Sequence, residues 1–103
     1  MTEQLKQEIE TLTDELDVEI NELVFKYESL PAPETTATRW MGNNLMLQIK
    51  DVQEKFQADE HKQFMDERRT ILRRLKVVLP MLVKDLEDYE EHVVWQRLMG
   101  EKI

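Results

Sequence analysis

Acidic side chains are the most frequent groups in this sequence that could carry chemistry. The chain holds 22 Asp and Glu among 103 residues. Carboxylates three residues apart share one side of a helix, and two facing helices with such pairs can hold Mg²⁺. Because acids are so frequent here, this spacing also arises by chance. The candidate pairs are Glu19–Glu22, Asp85–Asp88 and Glu87–Glu90.

The other reactive residue types do not form a catalytic set. The chain has no Cys, which excludes a disulfide scaffold, a thiolate metal site and a cysteine nucleophile. His92 lies one turn after Asp88, so a transition metal could bridge them, but for both His92 and His61 we favour a surface position. The single serine, Ser29, has no histidine near it in sequence, and two distant glycines form no phosphate loop. We therefore expect no enzymatic activity, no cofactor and no metal.

The apolar residues predict an all-α fold, a small bundle of three to four helices with a long N-terminal helix. Between Leu5 and Leu30 they recur every three or four positions, which places them on one narrow side of a helix. Proline at 31 and 33 ends this helix because it lacks an N–H and restricts the residue before it. We expect a single helical domain over residues 1–103, with helices at about 3–30, 36–58, 60–79 and 81–99 and a proline-containing turn at 31–35.

Two places leave the helix boundaries open. The segment Gly42-Asn43-Asn44 is either a turn or a small-residue spot where two helices approach, and we favour a continuous second helix with Met41 in its apolar seam. Pro80 interrupts a dense apolar run, so a helix should break or kink there. No apolar run approaches the roughly 18 residues that span a bilayer, and the first residues lack an apolar signal-peptide core. We therefore expect a cytoplasmic protein with no membrane partner.

The net charge of −8 is distributed unevenly. Residues 1–34 hold ten acids and two bases, residues 35–80 six acids and nine bases, and residues 81–103 six acids and three bases. These segments carry −8, +3 and −3. We expect the acidic first helix to pair with the basic segment, within one chain or between copies. For this reason direct nucleic-acid binding by the basic residues between 62 and 76 is not favoured.

Seven apolar residues lie away from the predicted seams and form the candidate interface. A helix needs only one apolar side to join a small core, so a second apolar side indicates a further contact. Burial within a bundle and a subunit or partner interface both stay open. We favour homodimerisation, because a chain of this length buries only about 65% of its unfolded surface. The residues are Val18 and Phe25, Trp40 and Leu47, and Trp95, Leu98 and Met99.

Arg68 is the eighth residue of the candidate interface. It falls in the middle of the apolar side of the third predicted helix. A guanidinium in that position must either extend to solvent or pair with a carboxylate, and Glu19, at the border of the first seam, is a candidate.

The sequence thus predicts a non-enzymatic helical protein–protein interaction module that acts as a homo-oligomer: an adaptor, chaperone, assembly factor or regulator. Two alternatives come from other classes. An acidic phage or mobile-element inhibitor could mimic nucleic acid and block a basic protein partner. The carboxylate pairs would instead suit a small all-α Mg²⁺-dependent nucleotide pyrophosphohydrolase. The acidic face that mimicry would use comprises Glu3, Glu8, Glu10, Asp14, Glu15, Asp17 and Glu22.

Overall fold

The computed structural model describes residues 2–101, with the side chains of residues 2–99, and within that range the protein is all-helical. Helix α1 spans Thr2–Glu28, α2 spans Thr36–Gln57 and α3 spans Met65–Glu101. The long N-terminal helix and the proline-containing connection after it are confirmed. Helix α2 is continuous through Gly42, as we favoured, and the predicted cap at Thr35 is present: its Oγ1 accepts a bond of 3.2 Å from the Thr38 N–H.

The expected break at Pro80 is wrong, because α3 continues through it as a single helix from Met65. Residues 58–64 form the connection from α2, so the predicted helix start near residue 60 is also wrong. Pro80 is exposed, whereas Leu79 and Leu82 on either side are buried in the core. Proline costs one helical hydrogen bond, to the carbonyl of Lys76, and the packing of its neighbours maintains the helix across that gap.

Helix α3 is the central helix, and α1 and α2 both pack against it. Contacts of α1 with α3 join Glu8 to Arg73 and Lys26 to Glu90, so these two helices run parallel. Helix α2 runs antiparallel to α3, since residues near its start meet Gln96 and residues near its end meet Arg68. Helices α1 and α2 contact each other much less than each contacts α3. The molecule measures 63 × 20 × 17 Å, and its radius of gyration of 17.0 Å exceeds the roughly 13 Å of a compact domain of this length.

The core of α3 follows a heptad pattern. Its buried residues alternate at spacings of four and three, which keeps them on one side of a long helix. Helix α2 repeats this pattern, with Thr38 and Gly42 in the places where we expected Met41, which lies at the surface. The buried residues of α3 are Arg68, Leu72, Leu75, Leu79, Leu82, Leu86, Tyr89 and Val93.

Gly42 marks a close approach of the helices, which was the second interpretation of its segment. The Tyr27 hydroxyl donates a 2.9 Å bond to the carbonyl of Gly42, and the rings of Tyr27 and Tyr89 stack with centroids 6.0 Å apart. A side-chain carbon at Gly42 would lie only 2.5 Å from the hydroxyl oxygen of Tyr89. The absence of a side chain at this position therefore allows the two tyrosines to pack between the helices.

Candidate interaction surface

The seven apolar residues predicted to lie off the seams are all solvent-exposed within the chain. Phe25 has a relative exposure of 72%, Trp40 of 67% and Trp95 of 63%. The single chain therefore does not bury them, which removes the first of the two interpretations left open by the sequence. The remaining members are Val18, Leu47, Leu98 and Met99.

These seven residues lie on different helices and do not form one continuous patch. Val18 and Phe25 are on the side of α1 that faces away from its buried residues. Trp40 lines a depression between α2 and α3 with Asp85 and Asp88. Trp95 and Leu98 line a second depression near the end of α3, together with Val94, Glu87 and Glu91.

Helix α3 carries a second heptad stripe, opposite its core, that the sequence reasoning missed. We define this α3 outer stripe as Arg74, Val77, Met81, Lys84, Asp88, Glu91, Trp95 and Leu98, which are all exposed. Val77 and Met81 have relative exposures of 69% and 64%. The spacings alternate between three and four over 24 residues, a pattern typical of a helix that packs on two sides. This periodicity was the available signal, but the expected break at Pro80 divides it.

Arg68, by contrast, does not belong to an interface, and this part of the prediction is wrong. It is buried, and its Nη1 donates a 2.8 Å bond to the backbone carbonyl of Phe56. The guanidinium also lies 5.3 Å from the centroid of the Phe56 ring. Arg68 thus contacts a backbone carbonyl at the C-terminal end of α2. Its predicted partner Glu19 bonds to Lys76 instead. Burial lowers the pKa of Arg68 below its usual range.

His61 is a second structural residue, and our expectation of a surface position for it is wrong. It is buried, and its Nε2 lies 2.8 Å from the carbonyl oxygen of Lys55, so Nε2 carries the donated proton. Its Nδ1 lies 3.4 Å from Nη1 of Arg68. Carbonyls in the last turn of a helix have no partner within the helix. His61 and Arg68 together bond two of these carbonyls and join the end of α2 to α3.

The basic segment of α3 pairs with the acidic helix of the same chain, as the charge distribution predicted. Arg73 binds Glu8 at 2.5 Å, and Lys76 binds Glu19 at 2.6 Å and Glu15 at 3.0 Å. The hydrogen bonds to Glu19 and then to Glu15 raise the pKa of Lys76. These pairs are partly exposed, so they fix the alignment of α1 with α3 more than they stabilise it.

Two of the six carboxylates considered for metal binding take part in ion pairs with lysines of the same chain. Glu19 is bonded to Lys76, and Glu90 to Lys26 at 3.3 Å. Over the part of the chain that the structure describes, no three His, Asp or Glu side chains come together to hold a metal ion. The acidic face considered for mimicry is also divided, because Glu8 and Glu15 bind α3 while Glu10, Asp14 and Asp17 face solvent.

Comparison with protein-family models, curated proteins and solved structures gave no match for this chain. Between residues 2 and 101, none of the helices combines the length and the apolar character needed to cross a membrane.

Proposed function

We propose that this chain is a non-enzymatic helical protein-interaction module that acts as a homo-oligomer in the cytoplasm. The observation that carries the proposal is the exposure of large apolar side chains on helices whose opposite sides already fill a core. Phe25, Trp40 and Trp95 are the largest of them. Removing apolar area from water stabilises a complex by about 25 cal/mol per Å². A second protein surface is therefore the expected cover for these side chains.

The shape of the molecule supports association along its length. A body 63 Å long and only 20 Å wide exposes the outward side of every helix. Aromatic residues and Met are enriched where protein surfaces meet, and both occur on these outward sides. Dimerisation would add further helices beside the existing three, which completes the small bundle.

The exposed apolar residues lie on three different helices, which supports separate contacts with more than one protein surface. The α3 outer stripe is long enough for self-association, whereas Trp40 and Leu47 on α2 form a separate, smaller site. A module with one surface for its own copy and another for a different protein fits the work of an adaptor, chaperone, assembly factor or regulator. Phe25 and Val18 on α1 provide a third position for such a partner.

The first test is the mass of the protein in solution, measured by sedimentation equilibrium between about 1 and 100 μM. Light scattering or sedimentation is needed because an elongated chain runs anomalously in gel filtration. We expect at least twice the chain mass of 12.4 kDa, with dissociation on dilution. Trp95 is exposed in one chain and belongs to the α3 outer stripe, so its fluorescence should shift to shorter wavelength as the complex forms. A mass of 12.4 kDa at every concentration would contradict the homo-oligomer.

A matched variant separates this proposal from nucleic-acid mimicry. Neutralising Glu10, Asp14 and Asp17 to their amides removes three solvent-facing acids of α1 and leaves the pairs with α3 intact. Under our proposal, the mass of the complex and the helical circular dichroism stay unchanged. Mimicry instead requires that the same variant lose a salt-sensitive complex with a basic protein.

A further inference from the structure

We propose that the α3 outer stripe binds the α3 outer stripe of a second copy of this chain, with the two helices antiparallel. This inference rests on the proposed function, since it assigns a surface and an orientation to the homo-oligomer. Its basis is the combination of apolar side chains, heptad spacing and charge order along one exposed side of a helix.

The apolar positions of the stripe lie toward its two ends. Val77 and Met81 occupy the first part, and Trp95 and Leu98 the last part, all of them substantially exposed. Between them lie Lys84, Asp88 and Glu91. A 3–4 spacing keeps all of these positions on one side of a helix over its full length, so a second helix can contact them together.

Charge order selects the antiparallel arrangement. Along the stripe the two bases, Arg74 and Lys84, come before the two acids, Asp88 and Glu91. In a parallel pair Arg74 would meet its own copy, and so would Asp88 and Glu91. An antiparallel pair places the basic half of one helix against the acidic half of the other. Like charges directly opposed destabilise an interface, so the parallel arrangement is disfavoured.

Heptad spacing is compatible with more than one antiparallel register, and we assign the one that pairs Arg74 with Glu91. With Arg74 opposite Glu91 of the partner subunit, Val77 faces the partner's Asp88 and Met81 faces the partner's Lys84. Trp95 covers the partner's Thr70, within one turn of its Arg74, where a guanidinium can lie on the indole ring. Among the ion pairs of residues 2–99, none involves Arg74 or Glu91, so both are available for this pairing.

The length of the stripe suits a contact between two helices. From residue 74 to residue 98 it is about 36 Å long at 1.5 Å per residue, which is more than half of the 63 Å length of the molecule.

Spin labels on single cysteines test the arrangement, and the cysteine-free chain makes each label unique. Asp85→Cys lies at the flank of the stripe near the proposed two-fold axis, and Arg97→Cys lies far from it. We expect a distance between the two labels of a dimer below about 20 Å for residue 85, and about 45 Å for residue 97, from 1.5 Å per residue. Short distances at both positions would indicate a parallel dimer and overturn the inference.

Other outcomes separate this inference from the proposed function. A dimeric mass with a long distance at residue 85 means that another surface pairs, which overturns the inference alone. A monomeric mass without dipolar coupling overturns the homo-oligomer itself. Both labelled variants are checked for unchanged helicity by circular dichroism before the distances are interpreted.

Reversing the charge of Arg74 or Glu91 gives a second, independent test of the register, measured by the dimer dissociation constant. Arg74→Glu and Glu91→Arg should each raise the dimer dissociation constant by roughly tenfold or more, because each places like charges together. The double variant exchanges the two charges and should recover most of the affinity. Lys50→Glu, an exposed change on α2, is the matched control and should leave the constant unchanged. A double variant as weak as the single ones would contradict this register.

Discussion

The hydroxyl oxygen of Tyr89 lies 2.5 Å from the point that a side-chain carbon at Gly42 would occupy. This distance is shorter than van der Waals contact, so the buried Tyr89 ring fills the space of the missing side chain. The carbonyl of Gly42 also accepts the bond from Tyr27. Tyr27 is on α1, Gly42 on α2 and Tyr89 on α3, so all three helices meet around a single residue without a side chain.

Gly42→Ala should destabilise the fold, although alanine favours helix over glycine by about 1 kcal/mol. The added carbon must displace Tyr89, and overpacking of this kind costs about 1–3 kcal/mol. We expect a lower midpoint in urea denaturation followed by circular dichroism. Asn43→Ala, at the neighbouring exposed position, is the control and should be neutral or slightly stabilising. A Gly42→Ala variant as stable as this control would show that Tyr89 moves aside without cost.

Arg68→Met should also lower the free energy of unfolding. The change keeps the length of the side chain but removes the donor to the Phe56 carbonyl, and an unsatisfied buried group costs about 1–3 kcal/mol. Removal of the buried cation offsets part of this cost. Arg39→Met, at an exposed site of α2, should change stability by less than about 0.5 kcal/mol. Equal denaturation midpoints for both variants would argue against a role of Arg68 in joining α2 to α3.

Pro80→Ala should stabilise the protein. Alanine supplies the N–H that the carbonyl of Lys76 lacks, and Pro80 itself is exposed, so little packing is lost. Proline is about 3 kcal/mol less favourable than alanine inside a helix, and each kcal/mol shifts Tm by about 4–8 °C in a small domain. Differential scanning calorimetry should show a higher Tm at matched concentration. An unchanged Tm would mean that the helix has already relaxed around the proline.

Stability should fall in alkaline solution because of the two tyrosines. Burial raises the pKa of Tyr27 above 10.0, and burial together with the nearby Tyr27 raises that of Tyr89. Below pH 10 both tyrosines are protonated in the folded chain and in the unfolded chain, so their contribution to the free energy of unfolding is fully present. As the pH rises above 10, the unfolded chain loses its protons first, and stability declines until the folded-state pKa values are passed.

The absorbance of tyrosinate measures this directly, since Tyr27 and Tyr89 are the only tyrosines of the chain. We expect the folded protein to titrate at higher pH than the same chain in denaturant. Urea midpoints should be constant below pH 9 and decrease above pH 10. Coinciding titrations of folded and denatured protein would contradict the prediction.

Local patterns were enough to predict α1 and α2 and to identify the off-seam residues, whose burial or exposure the sequence left open. Leu16, Ile20 and Leu23 follow a 3–4 spacing, and the prolines after Leu30 end the helix by their own chemistry. An apolar residue opposite such a seam, like Phe25, is exposed because the seam already faces the core. These features depend on residues within a few turns of one another.

The parts that were missed depend on contacts between distant segments. The continuity of α3 at Pro80 depends on the packing of Leu79 and Leu82 against two other helices. The positions of His61 and Arg68 depend on backbone carbonyls of α2, which are identical at every residue and leave no mark in a side-chain pattern. From the sequence, Arg68 was therefore assigned to an interface, with solvent or a carboxylate as its partner, and not to a backbone carbonyl of α2.

Because α1 and α2 both pack against α3, the position of α3 in the sequence determines when this protein can fold during its synthesis. Because α1 and α2 contact each other so little, the first 64 residues have no stable core of their own. Their partner side chains, from Leu72 to Val93, are the last of the core to leave the ribosome. The core can therefore form only after residues 72–93 have left the ribosome.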